Sequence, residues 1–304
     1  MQGNISEIRE HIKAVRETRQ ITNAMYLLSA SHMKKTLPQV EYTREYFHRI
    51  RAAVKDILTH SPGIEHPYLA GYKKAPKGAR RPGYLVMAAD KGMAGAFNHN
   101  VLSFAYKRIP WDKNPYVATI GIYATEFFTR KGVPPDREFL GMAQNPTIGN
   151  ARALEDELFA LYDAGEISSL SIIHTRFVNS ATQYPREVRL LPLSLADLQN
   201  VALEYEFDRE MLYHPSPIEV FYWLVPQYAV GLLYGTLAQS YAGEHCARMR
   251  AMQSATKNAD ELIGRLTKTY HNARQLRITQ ELTETVSAGL IQQQTQARPT
   301  GLKE

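Results

Sequence analysis

The stretch ATKNADELIGRLTKTYHNARQL, residues 255–276, decides the fold. Small and apolar side chains recur there at alternating steps of three and four residues. The members of this heptad pattern are Ala255, Ala259, Leu262, Leu266, Thr269, Ala273 and Leu276. Residues 216–294 contain no proline after Pro226, so one helix is predicted over about this range. Some 70 residues of helix extend about 100 Å, too far for a small domain to cover, and we expect a second long helix as partner.

That partner helix is predicted at the other end of the chain, over residues 4–59. Apolar residues at heptad steps form its seam, which slips after Val15 and then resumes. The seam members are Ile5, Ile8, Ile12, Val15, Ile21, Met25 and Leu28. Pro38 removes one backbone donor and is a weak point of this helix. The chain would leave along the first helix and return along the longer second one, which predicts an antiparallel coiled coil.

The region between the two helices alternates between strands and helices. Short apolar runs predict strands at YLVMAA (84–89), YVATIGIY (116–123), SLSIIHTRFV (169–178) and REVRLLPL (186–193), with a weaker strand near 138–141. Helical stretches are expected near 97–108, 123–131 and 150–164. This order favours a mostly parallel sheet with right-handed crossovers, an α/β domain of Rossmann-like type.

The complete organisation is therefore predicted as six segments. These are an N-terminal coiled-coil helix (1–60), a linker rich in proline and glycine (61–83), the α/β domain (84–193), an acidic connection (194–216), a C-terminal coiled-coil helix (217–292) and a polar tail (293–304).

The charge of the chain is unevenly distributed. Residues 1–81 carry 15 basic and 7 acidic side chains, a net +8, whereas residues 82–217 carry 12 and 16, a net −4. The basic excess of the first helix indicates a partner surface. Few aromatic side chains accompany these basic residues, so an acidic protein is a better partner than nucleic acid.

Several site classes are not expected. Cys246 is the single cysteine, which excludes an intramolecular disulfide and paired-cysteine metal sites and fits a reducing compartment. The histidines lack the spacing of a zinc-binding helix. No apolar run is long enough for a membrane span, and the N-terminus has no apolar signal core. We predict no catalytic, cofactor-binding or metal-binding residue.

The turn after the first strand has two interpretations. Asp90, Gly92 and Gly95 lie between a strand and a helix, where α/β proteins bind phosphate or place a nucleophilic carboxylate. This interpretation corresponds to a phosphate- or nucleotide-processing enzyme with coiled-coil arms. The dinucleotide and phosphate-loop patterns are both incomplete, so a structural turn capped by Asp90 is preferred.

The segment ARQLRITQEL, residues 273–282, is unusually polar for a coiled coil. Its polar members are Arg274, Gln275, Thr279, Gln280 and Glu281. An ordinary exposed helix face and a surface that contacts a partner both account for this composition.

Three blocks of sequence are similar to a known family. They are IKAVRETRQITNAMYLLSASHM (12–33), DKGMAGAFNHN (90–100), and EHCARMRAMQSATKNADELI (244–263) together with YHNARQLRITQELTETVSAG (270–289). FVNSATQYPREVRLLPL (177–193) carries a further match. These blocks resemble the gamma subunit of F-type ATP synthases.

The resemblance implies a non-catalytic rotor shaft that couples ion-driven rotation of a ring of c subunits to ATP synthesis or hydrolysis at the beta subunits. Its partners would be three alpha and three beta subunits, the epsilon subunit and the c ring. A static coiled-coil scaffold is the competing non-enzymatic hypothesis. With no targeting segment, we expect a bacterial chain, peripheral on the cytoplasmic face of the plasma membrane.

The resemblance also implies contact residues. Arg274 and Gln275 match a pair that contacts a loop of one beta subunit, and Thr279 and Glu281 match the adjoining polar positions. Met25 matches a shaft residue that faces the acidic lever loop of beta.

The basic residues Lys34 and Lys35 are expected to meet the same loop. Four positions depart from the family pattern: Asn23 and His32 replace lysines, Ala94 replaces a cysteine and Ala96 a glycine. If the glycine position requires a positive φ, Ala96 predicts a strained or different turn.

Overall fold

The computed structural model describes residues 5–61, 63–70, 81–198 and 213–296. The chain forms two compact units. The first unit is Met1–Tyr26 with Met252–Glu304, and the second unit is Leu27–Ala251. Much of the predicted linker, much of the acidic connection and residues 297–304 of the tail lie outside the described residues.

Ten helices and strands make up the described part of the chain, together with two short 3-10 turns at Trp111–Lys113 and Leu195–Leu198. In chain order they are α1 (Ile5–His60), β1 (Arg81–Met87), α2 (Phe97–Arg108), β2 (Tyr116–Ile120), α3 (Ile122–Arg130), β3 (Arg137–Phe139), α4 (Ile148–Asp163), β4 (Ile167–Phe177), β5 (Gln183–Leu191) and α5 (Pro217–Gln296). The two terminal helices and the alternating elements between them confirm the predicted fold class.

The sheet lies in the second unit and is mostly parallel, as predicted. Its strand order is β3-β2-β1-β4-β5, and only the β4–β5 pair is antiparallel within the described ranges. Those two strands are joined by a short turn in which the side chain of Asn179 accepts the backbone N–H groups of Ala181 and Thr182. A parallel crossover needs a dozen or more residues, so a turn of this length forces the antiparallel arrangement.

Strand β1 occupies the centre of the sheet. It begins at Arg81, inside the range predicted as linker, and ends at Met87. Gly83 explains part of this difference, because a Cβ atom there would lie 2.8 Å from the carbonyl oxygen of Ser169 on β4. Because glycine has no side chain, β4 can approach closely here, and β1 therefore begins before the apolar run that predicted it.

Two other boundaries differ from the sequence interpretation. Helix α5 reaches Gln296, past residue 292, where the C-terminal helix was predicted to end. In the linker range, the backbone N–H of Leu193 donates to Tyr68, and that of Ala70 donates to Leu193. Part of this segment therefore adds a bridge beyond the end of β5.

In the second unit, α1 and α5 run in opposite directions. The ring of Phe47 lies against Gly231 and Gly235, while the ring of His32 contacts Tyr241 further along α5. The buried positions of α1 follow steps of four and three without a break. They are Ser29, Met33, Thr36, Val40, Thr43, Phe47, Ile50, Val54 and Ile57. Helix α1 continues through Pro38, which is exposed.

The first unit also pairs α1 with α5 in opposite directions. The hydroxyl groups of Thr22 and Thr256 lie 2.9 Å apart, and Arg19 forms an ion pair with Asp260. Ile12 is buried here, as the predicted seam requires, but Ile21 is exposed.

The predicted slip after Val15 is therefore wrong. The seam continues through Arg19 and Thr22, whose polar groups find partners on α5. An apolar pattern overlooks such positions, because a polar side chain is tolerated in a seam when its hydrogen bonds are satisfied. In the second unit, Leu28 is likewise exposed while Ser29 is buried.

Candidate functional site

The polar segment near the end of α5 lies on the surface of the first unit. Arg274, Gln275, Thr279 and Glu281 are all exposed. The hydroxyl of Thr279 donates to the carbonyl oxygen of Gln275 at 2.9 Å, and Glu281 accepts from Arg277 at 2.8 Å. These contacts stay within one helix, so the outward faces of the side chains remain available to another molecule.

Apolar side chains on the same stretch are exposed as well. Every residue from 274 to 290 is exposed, and Leu276 has 65% of its surface accessible. The other large apolar side chains in this set are Ile278, Leu282, Val286 and Leu290. A helix that is solvent-exposed on all sides and yet carries large apolar residues is typical of a surface that another chain covers.

The remaining predicted contact residues lie on α1. Met25 is half-buried and belongs to the first unit, whereas Lys34 and Lys35 are exposed and belong to the second. The predicted contact set is thus divided between the two units.

His32, which occupies a position where the resemblance expects lysine, packs between helices instead of pointing to solvent. Its Nδ1 lies 2.7 Å from the hydroxyl oxygen of Tyr241, and its ring stacks on His245 at 4.5 Å. Burial lowers the pKa of His245 to about 3, and the positive charge of Arg248 acts in the same direction. The side chain at position 32 therefore makes ring contacts with α5 within the second unit.

Asp90 has the geometry of a turn residue. Its Oδ1 accepts the backbone N–H of Ile122, the first residue of α3, at 3.0 Å. Its Oδ2 accepts from the side chain of Gln144, also at 3.0 Å. Both carboxylate oxygens are therefore engaged, which favours the structural interpretation over a nucleophilic one.

Arg248 ties the same turn to α5, a role that the sequence analysis did not assign. Its guanidinium donates to the carbonyl oxygens of Lys91 (3.1 Å) and Gly92 (3.2 Å) and to Glu244 at 2.6 Å. The side chains of Arg248 and Glu244 are only 6% and 8% exposed. Burial raises the pKa of Glu244, and the adjacent Arg248 opposes that shift. The spacing of four residues between Glu244 and Arg248 predicts an ion pair on one helix face. Nothing in the neighbouring sequence indicates that this pair is buried or that Arg248 contacts the distant turn.

The conformation of the turn removes the expected strain at Ala96. That residue has φ −84°, whereas the positive φ values fall at Met93 (60°) and Gly95 (57°). Ala94 is buried beside Phe97 and Ala247. The two alanines therefore suit this turn, and the uncommon backbone conformation lies at Met93.

Cys246 is fully buried in the second unit. Its thiol donates to the carbonyl oxygen of Ser180 at 3.3 Å, and burial raises its pKa. A protonated, enclosed thiol is a packing residue and a poor nucleophile.

The described ranges contain neither a metal-binding cluster nor a membrane-spanning helix. No group of three or more His, Cys, Asp or Glu side chains there is arranged to hold a metal ion. Among the helices of the same ranges, none has an apolar stretch that could cross a bilayer.

Comparison with known proteins gives a consistent result over nearly the whole chain. A family model described as ATP synthase matches residues 4–289. The ATP synthase gamma chain of Caldanaerobacter subterraneus subsp. tengcongensis is 37% identical over 293 residues, covering 94% of this chain and 99% of the relative. The gamma chain of Ruminiclostridium cellulolyticum is 36% identical over 289 residues, covering 94% and 98%.

Solved structures share the fold. A chain in the mitochondrial ATP synthase of Euglena gracilis (OSCP, F1 and c-ring) superposes with a TM-score of 0.67 at 14% identity, covering 99% of this chain and 98% of that one. A chain in the central stalk and c-ring of Tetrahymena thermophila ATP synthase superposes with a TM-score of 0.53 at 22% identity, covering 77% and 99%.

Proposed function

This chain belongs to the ATP synthase gamma-chain family, and from that premise we propose that it is the central rotor shaft of an ATP synthase. The observation that carries the proposal is the match to gamma chains at 37% identity over 94% of the sequence. As a shaft, the chain couples ion-driven rotation of the c ring to ATP synthesis or hydrolysis at the beta subunits. It performs no chemical step itself.

The arrangement of α1 and α5 supports a mechanical role. In each unit the two helices run in opposite directions and are held by side-chain contacts, such as Thr22 with Thr256 and Phe47 against Gly231. Paired helices resist bending and twisting better than a single helix, which suits transmission of torque.

The proposed partners are three alpha subunits, three beta subunits, the epsilon subunit and the c ring. Exposed apolar side chains on α5 between residues 274 and 290 support insertion into a ring of other subunits. The net +8 of residues 1–81 supports attraction to acidic loops of beta. The complex would be peripheral at the cytoplasmic face of a bacterial plasma membrane.

Specific contacts follow from the same proposal. Arg274 and Gln275 bind a loop of one beta subunit, with Thr279 and Glu281 beside them. Met25, Lys34 and Lys35 meet the acidic lever loop. Exposure of the polar α5 residues and of both lysines supports these assignments.

Pull-down of the tagged chain from its native membranes tests the proposed function. We expect three alpha and three beta subunits per tagged chain, with the c ring and epsilon in the same fraction. Recovery of the tagged chain alone would refute the rotor proposal.

A reversible cross-link separates a rotor from a static scaffold. Gln275→Cys, joined by a disulfide to a cysteine in one beta subunit, should stop ATP turnover until a reductant is added. The natural Cys246 is buried and does not compete for the cross-link. A scaffold would retain its turnover when cross-linked.

A further inference from the structure

A cavity of about 360 Å³ lies within the second unit, between α1, the β4–β5 hairpin and α5. Six cationic and imidazole residues line it, namely His48, Arg51, His174, Arg176, Arg186 and Arg189. Phe47, Phe177 and Tyr228 form an apolar wall.

His174 is the most enclosed polar group of this cavity. Only 2% of the surface of His174 is exposed, and its ring Nδ1 is buried without a hydrogen-bond partner. Burial, together with the charges of Arg186 and Arg176, lowers the pKa of this imidazole to about 4, although a hydrogen bond with the backbone of Thr175 opposes the shift. The ring is therefore neutral at pH 7 and carries an unused hydrogen-bonding nitrogen, which is uncommon for a buried polar group.

Strand register brings the arginines beside that histidine. Arg186 on β5 lies directly opposite His174 on β4, and Arg176 is two residues further along the same face of β4. Arg186 is an exposed residue, yet partial desolvation lowers the pKa of its guanidinium, and the nearby charges of Arg176 and Arg51 act in the same direction. The positive charges of these arginines therefore lie close together around the cavity.

The negative charge near the cavity is small. Glu187 is the one carboxylate among the described residues that line it, and that carboxylate is bound by Arg108 at 2.5 Å. Within the described part of the chain, neither Arg176 nor Arg186 forms an ion pair with a carboxylate. A bound anion would relieve the mutual repulsion of these arginines.

We propose that this cavity is a binding site for a phosphate-bearing anion. Planar guanidinium groups donate paired hydrogen bonds that match phosphate oxygens, and several arginines suit a ligand with more than one negative charge. A single carboxylate offers one charge and two oxygens, fewer than these groups can serve. His174 lines the same cavity with a neutral ring, and the apolar wall strengthens the charged contacts.

Titration calorimetry on the full-length chain tests the site at low ionic strength, where charged contacts are least screened. Inorganic phosphate and pyrophosphate are the probes, and we expect saturable binding of at least one. The variant with both Arg176→Gln and Arg186→Gln should bind at least tenfold more weakly. Arg130→Gln, an exposed arginine on α3 that does not line the cavity, is the matched control and should bind as the unmodified chain does.

A second experiment, with lipid vesicles, distinguishes a lipid headgroup from a free phosphate-bearing anion. Flotation with phosphatidylglycerol vesicles, compared with phosphatidylcholine vesicles, shows whether a lipid headgroup fills the site. Vesicle binding that depends on Arg176 and Arg186 supports the same chemistry from a lipid source. Soluble binding without vesicle binding supports a free anion.

Three results would overturn the proposal. The first is that neither phosphate, pyrophosphate nor anionic vesicles bind. The second is that the double variant binds as tightly as the Arg130→Gln control. The third is that a polyglutamate peptide binds while none of the phosphate-bearing probes does. If the double variant does not fold, Arg176→Gln and Arg186→Gln are tested singly, because both residues are exposed. The proposal does not depend on the rotor function, and the pull-down result is independent of it.

Discussion

At the scale of single residues, Arg248 is the side chain whose role depends most on its surroundings. It is a buried cation that serves a buried carboxylate and two carbonyl oxygens at once. Such a group stabilises the fold only while all its partners are present, because a buried charge or carbonyl that loses its partner is left without hydrogen bonds from protein or water.

Arg248→Met should therefore lower the free energy of unfolding by about 3–5 kcal/mol. The loss leaves Glu244 buried without its counter-charge and frees the carbonyl groups of Lys91 and Gly92. Chemical denaturation of the full-length chain measures the change. Arg277→Gln, which breaks an exposed pair of the same spacing, should cost less than about 0.5 kcal/mol. Equal effects of the two variants would contradict the buried role of Arg248.

Glu155 on α4 predicts a dependence of stability on pH. Burial raises the pKa of this carboxyl from 4.5 to about 7 in the folded chain, with the negative charge of Asp156 adding to the shift. The folded state thus holds the proton more tightly than the unfolded state. Its contribution to stability is complete below pH 4.5 and is lost as pH rises through about 7.

Glu155→Gln should abolish that pH-dependent loss. Relative to the unmodified chain, the variant should gain about 1–3 kcal/mol in free energy of unfolding between pH 5 and pH 8. Denaturation at both pH values measures the gain. Glu157→Gln, which removes the partly exposed carboxylate that pairs with Arg137, is the control for the loss of one negative charge from α4. A pH-independent difference for Glu155→Gln would refute the raised pKa.

At the scale of elements, the pairing of α1 with α5 in the second unit depends on small residues. Ser29, Thr36 and Thr43 alternate with larger apolar residues along the buried face of α1. The hydroxyl of Thr36 donates to the carbonyl oxygen of His32 at 3.0 Å, which satisfies it inside its own helix. Across the interface, Gly231 and Gly235 make room for the ring of Phe47.

Gly231→Ala should destabilise the chain by about 1–3 kcal/mol, because the added methyl group overlaps the ring of Phe47. Adding Phe47→Leu should recover part of the loss, with a coupling of at least about 0.5 kcal/mol in denaturation experiments. Gly264→Ala is the matched helix control, since nothing lies within 4 Å of its added Cβ. That change should stabilise the helix by about 0.5–1 kcal/mol. Additive effects of the changes at 231 and 47 would show that the two residues are not in contact.

At the scale of the whole molecule, the proposed rotor is tested by its effect on ATP turnover in the assembled complex. Arg274→Ala with Gln275→Ala should reduce ATP hydrolysis about tenfold, the effect of losing one charged hydrogen bond of about 1.5 kcal/mol at the beta subunit. The measurement uses complexes of normal subunit composition. Lys268→Ala, another exposed residue of α5, should leave the rate unchanged. An unaltered rate in the Arg274 and Gln275 variant would remove these residues from the contact.

Much of the architecture could be predicted from the sequence, because its signals are local. The apolar runs around Leu85 and Ile172 identified two neighbouring strands, and the heptad pattern after Ala255 identified a long helix. The polar segment containing Arg274 was located from composition and family resemblance, and its exposure agrees with a contact surface. Its part in binding beta stays a prediction.

Periodicity failed where polar residues replace apolar ones in the seam. Arg19 and Thr22 continue it in the first unit, yet each resembles an ordinary surface residue in sequence. Their partners, Asp260 and Thr256, lie more than 200 positions away along the chain. No local window includes both members of such a pair.

By itself, the sequence determined the order of helices and strands, the family and the polar end of α5, because propensity, apolar spacing and motif similarity are properties of short segments. Only the tertiary structure decided which polar residues became interior ones. The contact of Arg248 with the turn at Gly92 spans 156 positions, and the burial of His174 opposite the exposed Arg186 depends on strand register. Burial turns such groups from ordinary surface residues into anchors or binding groups, and burial is a property of the folded chain alone.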